Sequence, residues 1–293
     1  MTETRFEVAV EGGALSVLHI PRDNAPRLFF AHANGFNAAT YRQFLKPLSQ
    51  HFEIIAPDTR GHGLSQMPLD MDGLGDWFVF GRDLATVGEA LDKRPTFFVG
   101  HSMGAVCGLL AAGLFDLQID GIALIEPVFM PSWFYAVPHI PGGAYIYKFN
   151  PMSAGAKRRR EYWDSREDVL ERYRGKRLFA DWAPGVLEDY LETGTLDAED
   201  QVRLACSPLW EAAIFAAQGH NPWTALRKLD HSVPILRSTA KGSTVYPVWR
   251  LQRQSNVRLE TTNAGHLAPM EEPQACADWV LAQAADLIAR DRD

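Results

Sequence analysis

Cysteine is scarce in this 293-residue chain, which contains only Cys107, Cys206 and Cys276. The three are widely spaced, form no CxxC pair and match no metal-ligand pattern, so they argue against a disulfide framework and against a cysteine metal site. We expect buried thiols in a reducing cytoplasm. The sequence also indicates neither a bound metal nor an organic cofactor.

Two other kinds of segment are missing. No uninterrupted apolar run reaches the roughly 18 residues of a membrane span, and the first residues have neither the basic segment nor the apolar run of a secretory signal. Positive charge is also limited, because 36 Asp and Glu outnumber 29 Lys and Arg and give a net charge of −7. Nucleic acids bind clustered Lys and Arg, so we expect no nucleic-acid partner. From the missing apolar and signal segments we expect no membrane span and a cytoplasmic location.

Short apolar runs alternate with longer helical patterns over most of the chain. Two alternating segments, 6–10 and 15–19, flank a Glu-Gly-Gly turn and predict a β-hairpin. Six later apolar runs are typical of strands buried on both faces of a parallel sheet, namely residues 28–31, 54–56, 97–99, 122–125, 233–236 and 257–259. Helical patterns cover residues 41–48, 77–91, 103–115 and 273–289. The alternation predicts an α/β fold with a mostly parallel sheet flanked by helices.

The alternation stops between residues 131 and 222. This stretch has helical segments and no clear buried strand, and it holds four of the eight tryptophans. We therefore predict a core formed by residues 1–130 and 223–293, with residues 131–222 inserted between two strands as a mainly helical unit. The densest run of charge, Lys-Arg-Arg-Arg at residues 157–160, is interpreted as the solvated face of a helix.

The strongest chemical signal is the sequence GHSMG at residues 100–104, which directly follows a predicted strand and directly precedes a predicted helix. A serine on such a turn has a strained backbone, and the glycines on either side allow close approach of neighbouring chain segments. The turn holds the Ser102 hydroxyl clear of the sheet at a helix N-terminus, where the Met103 amide faces a developing oxyanion. Ser102 is therefore the predicted nucleophile.

A serine hydroxyl needs a base to remove its proton. Of the nine histidines, His266 lies just after the last predicted strand and before the last predicted helix. In a parallel sheet that loop reaches the same edge as Ser102, because ligand sites form at the carboxyl ends of the strands. We predict that His266 is the general base.

Four motifs now occur in the order found in the α/β-hydrolase superfamily, which the chain resembles across nearly its whole length. LFFAHANGF at residues 28–36 is similar to the family's strand and oxyanion loop, and DTRGHGLS at residues 58–65 is similar to its D-x-R-G-H-G-x-S loop. The serine turn and the Gly-His turn at residues 265–266 follow. The resemblance implies an oxyanion hole formed by the backbone amides of Asn34 and Met103, and a cap formed by residues 131–222. Ala33 departs from the pattern, since the family usually has glycine there.

In this superfamily a catalytic acid completes a triad with the serine and the histidine. The position of that acid here departs from the commonest layout. An aspartate usually follows the strand represented by residues 233–237, but residues 238–244 contain no acid, and Glu260 is the only carboxylate between residues 231 and 265. Glu126 ends the strand after the nucleophile helix, at the edge where Ser102 and His266 are expected. Some haloalkane dehalogenases of the superfamily are similar in using a glutamate there. We predict Glu126 as the catalytic acid, since a glutamate that ends a buried strand otherwise lacks a partner.

By the same resemblance, the aromatic residues of the cap indicate an apolar substrate pocket. Its candidate residues are Phe36, His101, Trp133 and Phe134. We expect hydrolysis of a small or medium apolar carboxylic ester, with a lactone or a thioester as variants of that substrate, through an acyl-enzyme.

Two alternatives stay open. Related enzymes use the same triad to hydrolyse carbon–carbon bonds in ring-cleavage diketones, and some hormone receptors are non-catalytic ligand-binding proteins of this fold. A basic cap pocket for a substrate carboxylate would favour the first, and nothing in the sequence places Arg158 or its neighbours near Ser102. The physiological substrate and the oligomeric state do not follow from the sequence.

Overall fold

The computed structural model describes residues 2–147, 149–240 and 242–290. Its strands, in chain order, are β1 Thr4–Val10, β2 Gly13–Ile20, β3 Arg27–Ala31, β4 Glu53–Pro57, β5 Thr96–His101, β6 Gly121–Ile125, β7 Tyr162–Trp163, β8 Thr195–Ala198, β9 Gln201–Leu204, β10 Val233–Ser238 and β11 Val257–Thr262. Eight of them form one sheet in the order β1-β2-β4-β3-β5-β6-β10-β11, and the other three form a smaller sheet in the order β7-β9-β8.

The α-helices, in chain order, are α1 Arg42–Leu48, α2 Phe78–Glu89, α3 Met103–Leu114, α4 Ser132–Ala136, α5 Gly143–Tyr147, α6 Pro151–Lys157, α7 Arg166–Arg174, α8 Val186–Gly194, α9 Pro208–Ala216, α10 Pro222–Leu226, α11 Val248–Leu251, α12 Ala268–Glu271, α13 Pro273–Gln283 and α14 Ala285–Arg290. Short 3-10 helices cover Ala38–Tyr41, Val137–His139 and Arg177–Phe179. Within the described ranges, none of these helices combines the length and the apolar character needed to traverse a bilayer.

The large sheet is parallel except on its amino-terminal side. β1 and β2 form the predicted antiparallel hairpin, in which Val8 lies opposite Leu15, and β2 also runs antiparallel to β4. The pairs β3–β4, β3–β5, β5–β6, β6–β10 and β10–β11 are parallel. The carboxyl ends of β3, β5, β6, β10 and β11 therefore meet at one edge, where the loops that follow them lie together. The α/β fold predicted from the sequence is confirmed.

Alternate side chains of the central strands enter two separate apolar layers. In β3, Phe29 packs in the layer shared with α2 and α3, whereas Phe30 packs in the layer shared with α1 and α13. Both phenylalanines are completely buried. Burial of such a side chain stabilises a fold by about 1.5–3 kcal/mol, so the two layers hold the sheet between the helices and fix the strand ends.

Three predicted elements differ in detail. The helix expected at residues 41–48 is preceded by a 3-10 turn, which Asn37 caps by accepting from the Thr40 amide (2.9 Å). The helix expected at residues 273–289 is divided at Ala284 into α13 and α14. β11 is an edge strand with exposed positions, so the expectation that it is buried on both faces is wrong. It has a neighbouring strand on one side alone.

Between β6 and β10 the chain leaves the large sheet. It forms α4 to α10 and the antiparallel sheet of β7, β8 and β9. These strands have no counterpart in the sequence prediction, because they are only two to four residues long and mix buried with exposed positions. Aromatic side chains form a separate apolar cluster in this segment, including Trp163, Tyr173, Phe179 and Tyr190.

Candidate active site

Ser102 lies at the sharp turn between β5 and α3. Its backbone has φ 53° and ψ −115°, a positive-φ conformation that costs about 1–3 kcal/mol when the residue is not glycine. A Cβ atom on Gly104 would lie 2.2 Å from the Ala31 carbonyl oxygen, and one on Gly100 would lie 2.5 Å from the Ala105 Cα atom. Only glycine fits at these two positions, and the turn holds the Ser102 hydroxyl at the carboxyl end of β5.

The imidazole of His266 lies between the other two predicted triad residues. Its Nε2 atom is 3.0 Å from the Ser102 Oγ atom, and its Nδ1 atom is 2.8 Å from a carboxylate oxygen of Glu126. An ionised carboxylate only accepts hydrogen bonds, so Nδ1 carries the proton and Nε2 accepts from the serine hydroxyl. Glu126 is completely buried, whereas the His266 side chain is 26% exposed. Solvent therefore reaches this group of residues on the imidazole side.

Four donors surround the Glu126 carboxylate. One oxygen accepts from the Ser238 amide (2.6 Å) and the Ser243 hydroxyl (2.8 Å), and the other accepts from the Thr244 amide (3.1 Å) and from His266. A buried carboxylate is stable only when such donors take up its lone pairs. Sequence reasoning missed the role of the loop after β10, which has no acid of its own and instead donates to Glu126. The hydroxyl-rich composition of residues 238–244 is the signal for this role.

Glu260 lies away from the site. It is exposed on β11 and accepts hydrogen bonds from Trp279 Nε1 (3.0 Å) and Gln283 Nε2 (3.3 Å), both on α13. The side chain therefore joins the edge strand to a helix. Of the two acids considered from the sequence, Glu126 is the one in contact with His266.

Two contacts hold the turn that carries His266. The Gly265 amide donates to the Glu271 carboxylate (2.5 Å), and a Cβ atom on Gly265 would lie 2.6 Å from that carboxylate. The Ser238 hydroxyl donates to the Ala264 carbonyl (2.5 Å). A larger residue at position 265 would displace the Glu271 carboxylate, and the imidazole extends from a turn that is held on both sides.

His101 does not line a pocket, contrary to the prediction from the sequence. It is completely buried, with Nδ1 2.7 Å from the Tyr41 hydroxyl and Nε2 2.8 Å from the His266 carbonyl oxygen. Burial lowers the pKa of His101 to about 3, so the ring is neutral, donates from Nε2 and accepts at Nδ1. The Tyr41 oxygen in turn accepts from the Ala33 amide (3.1 Å). A continuous chain of hydrogen bonds therefore joins the loop after β3 to the backbone of His266.

The backbone amides of Asn34 and Met103 are the predicted oxyanion donors. In the part of the chain that the structure describes, neither N–H donates to a protein acceptor. The Ala33 carbonyl, in the same peptide unit as the Asn34 N–H, accepts from His32 Nδ1 (2.8 Å), and His32 Nε2 accepts from the Thr59 amide (2.9 Å). The carbonyl and N–H of a trans peptide point in opposite directions, so His32 fixes the direction of the Asn34 N–H. Burial lowers the pKa of His32, which favours the neutral ring that this arrangement needs.

The other pocket candidates differ from one another in exposure. Phe36 follows the oxyanion loop and is half-buried, with its ring 5.6 Å from Trp182 and 5.5 Å from Tyr190. Phe134 packs on neighbouring rings of the insertion. Trp133 is 67% exposed, so the expectation that it forms a pocket wall is wrong. Its indole faces solvent.

Trp182 is a residue of this region that sequence reasoning did not single out. Its ring contacts Phe36, and the neighbouring Ala183 amide donates to the Met270 carbonyl (2.8 Å), in the helix that follows His266. Trp182 therefore lies between the oxyanion loop and the histidine loop. Its indole N–H is buried and, among the described residues, has no protein acceptor. The available signal was its place among the four tryptophans of the insertion.

A largely buried ion pair lies on the insertion side of the oxyanion loop. Arg159 donates to the Glu211 carboxylate and to the hydroxyls of Tyr173 and Tyr190 (both 3.0 Å). The Asn34 side chain donates to the Glu211 carbonyl (3.1 Å). Protein groups therefore already neutralise the positive charge of Arg159. The interpretation of residues 157–160 as a solvated face is wrong for this residue, whose side chain is 19% exposed.

The family model described as "Alpha/beta hydrolase family" matches residues 28–279, a range that contains the serine turn, Glu126 and His266. The chain belongs to the alpha/beta hydrolase family. Within the described ranges, this hydrolase has no group of three or more His, Cys, Asp or Glu side chains placed to hold a metal ion.

The known proteins to which this hydrolase is similar are named for different activities. It is 22% identical over 281 residues to 3-oxoadipate enol-lactonase 1 of Acinetobacter baylyi, with 90% of each chain covered. It is 28% identical over 117 residues to 2-(acetamidomethylene)succinate hydrolase of Mesorhizobium japonicum, which is 40% of this chain and 41% of that relative. Several other curated relatives are also matched over less than half of their length.

A crystal structure of E-2-(acetamidomethylene)succinate hydrolase shares the fold. The TM-score is 0.77, with 97% of this chain and 100% of that chain covered and 19% sequence identity. At this sequence identity the two proteins share an architecture, which does not establish a shared substrate.

Proposed function

We propose that this hydrolase cleaves a small or medium apolar carboxylic ester, a class that includes lactones and thioesters, through an acyl-enzyme on Ser102. The observation that carries the proposal is the hydrogen-bond chain from Ser102 through His266 to the buried Glu126, with steps of 3.0 and 2.8 Å. A serine in contact with the base is the arrangement that acyl transfer needs. The name of the Acinetobacter baylyi relative supports the inclusion of lactones.

In the proposed acylation, the Ser102 oxygen attacks the carbonyl carbon while His266 Nε2 takes the hydroxyl proton. The resulting imidazolium keeps its Nδ1–H on the Glu126 carboxylate, whose negative charge stabilises it. The other donors to that carboxylate hold it in place. His266 then gives its proton to the departing alcohol or thiol, and the acyl group remains on Ser102.

The negative charge of the tetrahedral intermediate would lie at the Asn34 and Met103 amides. α3 begins at Met103, so the positive end of its dipole is directed at the same oxygen. Water then approaches from the exposed side of His266, loses a proton to Nε2 and attacks the acyl carbon. The bond to the Ser102 oxygen breaks, His266 returns the proton to that oxygen, and the acid is released. The proposed cycle needs no metal or organic cofactor, since protein groups supply the base, the acid and the oxyanion donors.

We also propose that residues 131–222 act as a cap on a core of residues 1–130 and 223–293. Three residues of this segment support it, because Trp182 and Tyr190 contact Phe36 and Glu211 contacts Asn34. The acyl chain would lie against Phe36 and Trp182, an apolar surface that favours hydrocarbon over charge. The buried indole N–H of Trp182 is available to a substrate oxygen.

The two alternatives have less support. Carbon–carbon bond hydrolysis of a diketone acid needs a free cation for the substrate carboxylate, whereas Arg159 beside the oxyanion loop is already paired with Glu211. A non-catalytic ligand-binding protein has no need for a buried carboxylate that faces a histidine and has a full set of donors. The contacts of Glu126 therefore count against the non-catalytic alternative alone, and the pairing of Arg159 counts against the carbon–carbon alternative.

Hydrolysis of p-nitrophenyl esters of graded acyl length tests the proposal. We expect release of p-nitrophenol by the wild type and a fall in kcat of at least about 10³-fold in Ser102→Ala. The matched control is Ser165→Ala, which removes a serine that caps α7 away from the site and should leave kcat unchanged. The dependence on acyl length measures the size of the pocket.

Two outcomes would change the proposal. Activity that survives in Ser102→Ala would exclude this residue as the nucleophile. Absence of hydrolysis by the wild type, together with tight binding of the ester, would support the non-catalytic alternative. Intact mass measured after mixing with a slow ester adds a direct readout, since one acyl group should be present on the wild type and absent from Ser102→Ala.

A further inference from the structure

Acidic residues are absent from one long stretch of the chain. Residues 127–160 contain none of the 36 Asp and Glu and five of the 29 Lys and Arg, so this stretch has a formal charge of +5 and the rest of the chain −12. Its sign is opposite to the net charge of the protein, −7. The stretch contains α4, α5 and α6. Lys148, one of the five basic residues, lies outside the described residues.

Large apolar side chains are exposed along the same stretch. Six of them are between 56% and 67% exposed, and we name them the outer cap surface: Trp133, Ile140, Tyr145, Ile146, Phe149 and Met152. A single exposed apolar residue is ordinary, whereas six large ones among consecutive short helices and their connections mark an interaction site. The rings of Tyr145 and Phe149 are 5.0 Å apart, so the group includes an aromatic pair in contact.

The inner sides of these helices are already packed. Tyr135 of α4 and Tyr147 of α5 are buried, and the Ser153 hydroxyl of α6 donates to the Ala212 carbonyl of α9 (2.9 Å). Internal contacts therefore fix the orientation of the helices. The outer cap surface is the part of this stretch that stays mostly exposed.

The outer cap surface lies one helix away from the oxyanion loop. α6 packs on α9, and the Trp210 indole of α9 donates to the Arg60 carbonyl of the loop after β4 (2.9 Å). In the same helix, the Glu211 carbonyl accepts from the Asn34 side chain (3.1 Å). Whatever docks on this surface is thus connected through α9 to the candidate active site.

Two cations adjoin the outer cap surface without a counter-ion. Lys157 and Arg158, at the end of α6, are exposed, and in the described ranges no ion pair includes them. Their neighbours differ, because Arg159 is turned inward and Arg160 lies 3.6 Å from Asp164. Exposed aromatic and basic side chains without acids among them are the combination that holds peripheral proteins on anionic lipid.

We propose that the outer cap surface docks the protein on an anionic lipid surface. Trp133 and Tyr145 lie at the level of the headgroups, where amphipathic rings are stable, and Phe149 reaches the acyl boundary. Lys157 and Arg158 meet the lipid phosphates. The acidic remainder of the chain is repelled by the same surface and stays in water. Docking is peripheral and uses three short helices.

A second copy of the chain fits this surface less well. In a two-fold contact the same surface patch of each copy faces the other, so a basic patch would face a basic patch. Residues 127–160 offer no acid to pair with Lys157 and Arg158, and like charges oppose association. An anionic lipid surface matches both the charge and the apolar character of this part of the molecule.

Vesicle flotation of the full chain tests the proposal. Vesicles of phosphatidylglycerol and phosphatidylcholine are compared with vesicles of phosphatidylcholine alone. We expect binding to the anionic vesicles to be at least about tenfold tighter, with the difference lost in about 0.5 M salt, which screens the charges. Ser102→Ala should bind as the wild type does, because docking does not depend on the proposed chemistry.

A first double variant tests the apolar contribution. Ile146→Ser combined with Phe149→Ser should weaken binding to the anionic vesicles about tenfold or more, because two apolar side chains no longer enter the interface. Its matched control is Leu64→Ser combined with Leu178→Ser, which removes two exposed leucines outside the outer cap surface. The control should bind like the wild type.

A second double variant tests the electrostatic contribution. Lys157→Glu combined with Arg158→Glu should abolish the preference for anionic over neutral vesicles. Arg22→Glu combined with Lys93→Glu changes the net charge by the same amount at exposed positions elsewhere and should keep most of that preference.

Three results would overturn the proposal. The first is no binding of the wild type to either kind of vesicle. The second is equal binding by the two surface variants and their controls. The third is a wild-type dimer, seen by analytical ultracentrifugation, that both surface variants lose, since that result would assign the surface to a second copy of the chain.

Discussion

The edge of the large sheet buries polar side chains, whereas the outer cap surface exposes apolar ones. At the edge, Glu126 and His101 are completely buried, and every polar atom of their side chains has a hydrogen-bond partner. At the outer cap surface, Trp133 and Phe149 are each 67% exposed. A buried polar group that loses its partner costs about 1–3 kcal/mol, so few substitutions are tolerated at the edge. An exposed ring adds little to folding, so the fold tolerates substitution at the outer cap surface.

Glu126→Gln should have the largest effect on catalysis. The amide keeps the shape of the carboxylate but removes the charge that stabilises the imidazolium. An amide N–H that faces His266 Nδ1 also moves the ring proton to Nε2, which then no longer accepts from Ser102. We expect kcat to fall about 10³- to 10⁴-fold, measured with a p-nitrophenyl ester on protein shown to be folded by a thermal melt.

Glu260→Gln is the matched control for this substitution. It makes the same chemical change at an exposed acid that contacts Trp279 and not His266. Its kcat should stay within about twofold of the wild type. Near-full activity of Glu126→Gln, or equal losses in the two variants, would show that Glu126 is not the catalytic acid.

Low pH should lower the free energy of unfolding, because the fold contains buried neutral histidines. The outer cap surface contains no histidine. Burial lowers the pKa of His62, His101 and His220 to about 3, whereas the unfolded chain binds the proton near pH 6.5. The unfolded state therefore takes up protons first as the pH falls. The stability is fully present at pH 8 and is lost progressively below about pH 6.5. At pH 5 the loss is about 2 kcal/mol for each of the three.

Urea unfolding between pH 8 and pH 5 measures this loss. The slope of the free energy of unfolding against pH gives the protons taken up on unfolding, which we expect to be about three or more near pH 5. A free energy of unfolding that stays constant over this range would contradict the presence of neutral, buried histidines in the fold.

Much of the edge could be predicted from the sequence because its requirements are local. Gly100 satisfies a backbone constraint set by Ala105, and Gly265 leaves room for the carboxylate of Glu271, both within a few residues. Apolar runs indicate buried strands, and parallel strands bring their carboxyl ends to one edge. From those two facts alone Glu126 could be placed near His266.

The remaining features depend on contacts between distant residues. His101 bonds to Tyr41 and to the His266 carbonyl, which are 60 and 165 positions away, and nothing in the serine motif indicates either partner. The donors to Glu126 come from a loop more than 100 positions away. The exposure of Trp133 is decided by how short helices pack, and such helices have too few residues for a reliable apolar periodicity.

Tyr41→Phe should have an intermediate effect. It removes the hydroxyl that joins the Ala33 amide to His101 Nδ1 and leaves two buried polar groups without partners, at a cost of about 1–3 kcal/mol in stability. The same change loosens the oxyanion loop and the His266 carbonyl, so we expect kcat to fall about tenfold while KM changes little.

Tyr135→Phe separates catalysis from stability. The Tyr135 hydroxyl is also buried, accepts from the Met130 amide (3.0 Å) and donates to the Val128 carbonyl (2.9 Å), but it bonds to no residue of the triad. The two variants should lose similar stability in a urea titration, and only Tyr41→Phe should lose kcat. Equal kcat values in Tyr41→Phe and Tyr135→Phe would show that Tyr41 contributes to stability and not to the positioning of the site.

Phe149→Ser should have the smallest effect on the fold, and it compares the outer cap surface with the buried layer that supports the sheet edge. The ring is 67% exposed, so its loss should change the free energy of unfolding by no more than about 0.5 kcal/mol. Phe44→Ala, at a completely buried ring between the sheet and α1, should cost about 3–5 kcal/mol. A loss above about 1 kcal/mol for Phe149→Ser would mean that the ring packs within the chain, and the contrast between edge and cap would fail. Unchanged stability together with weaker vesicle binding would leave a contact outside the chain as the reason for the exposed ring.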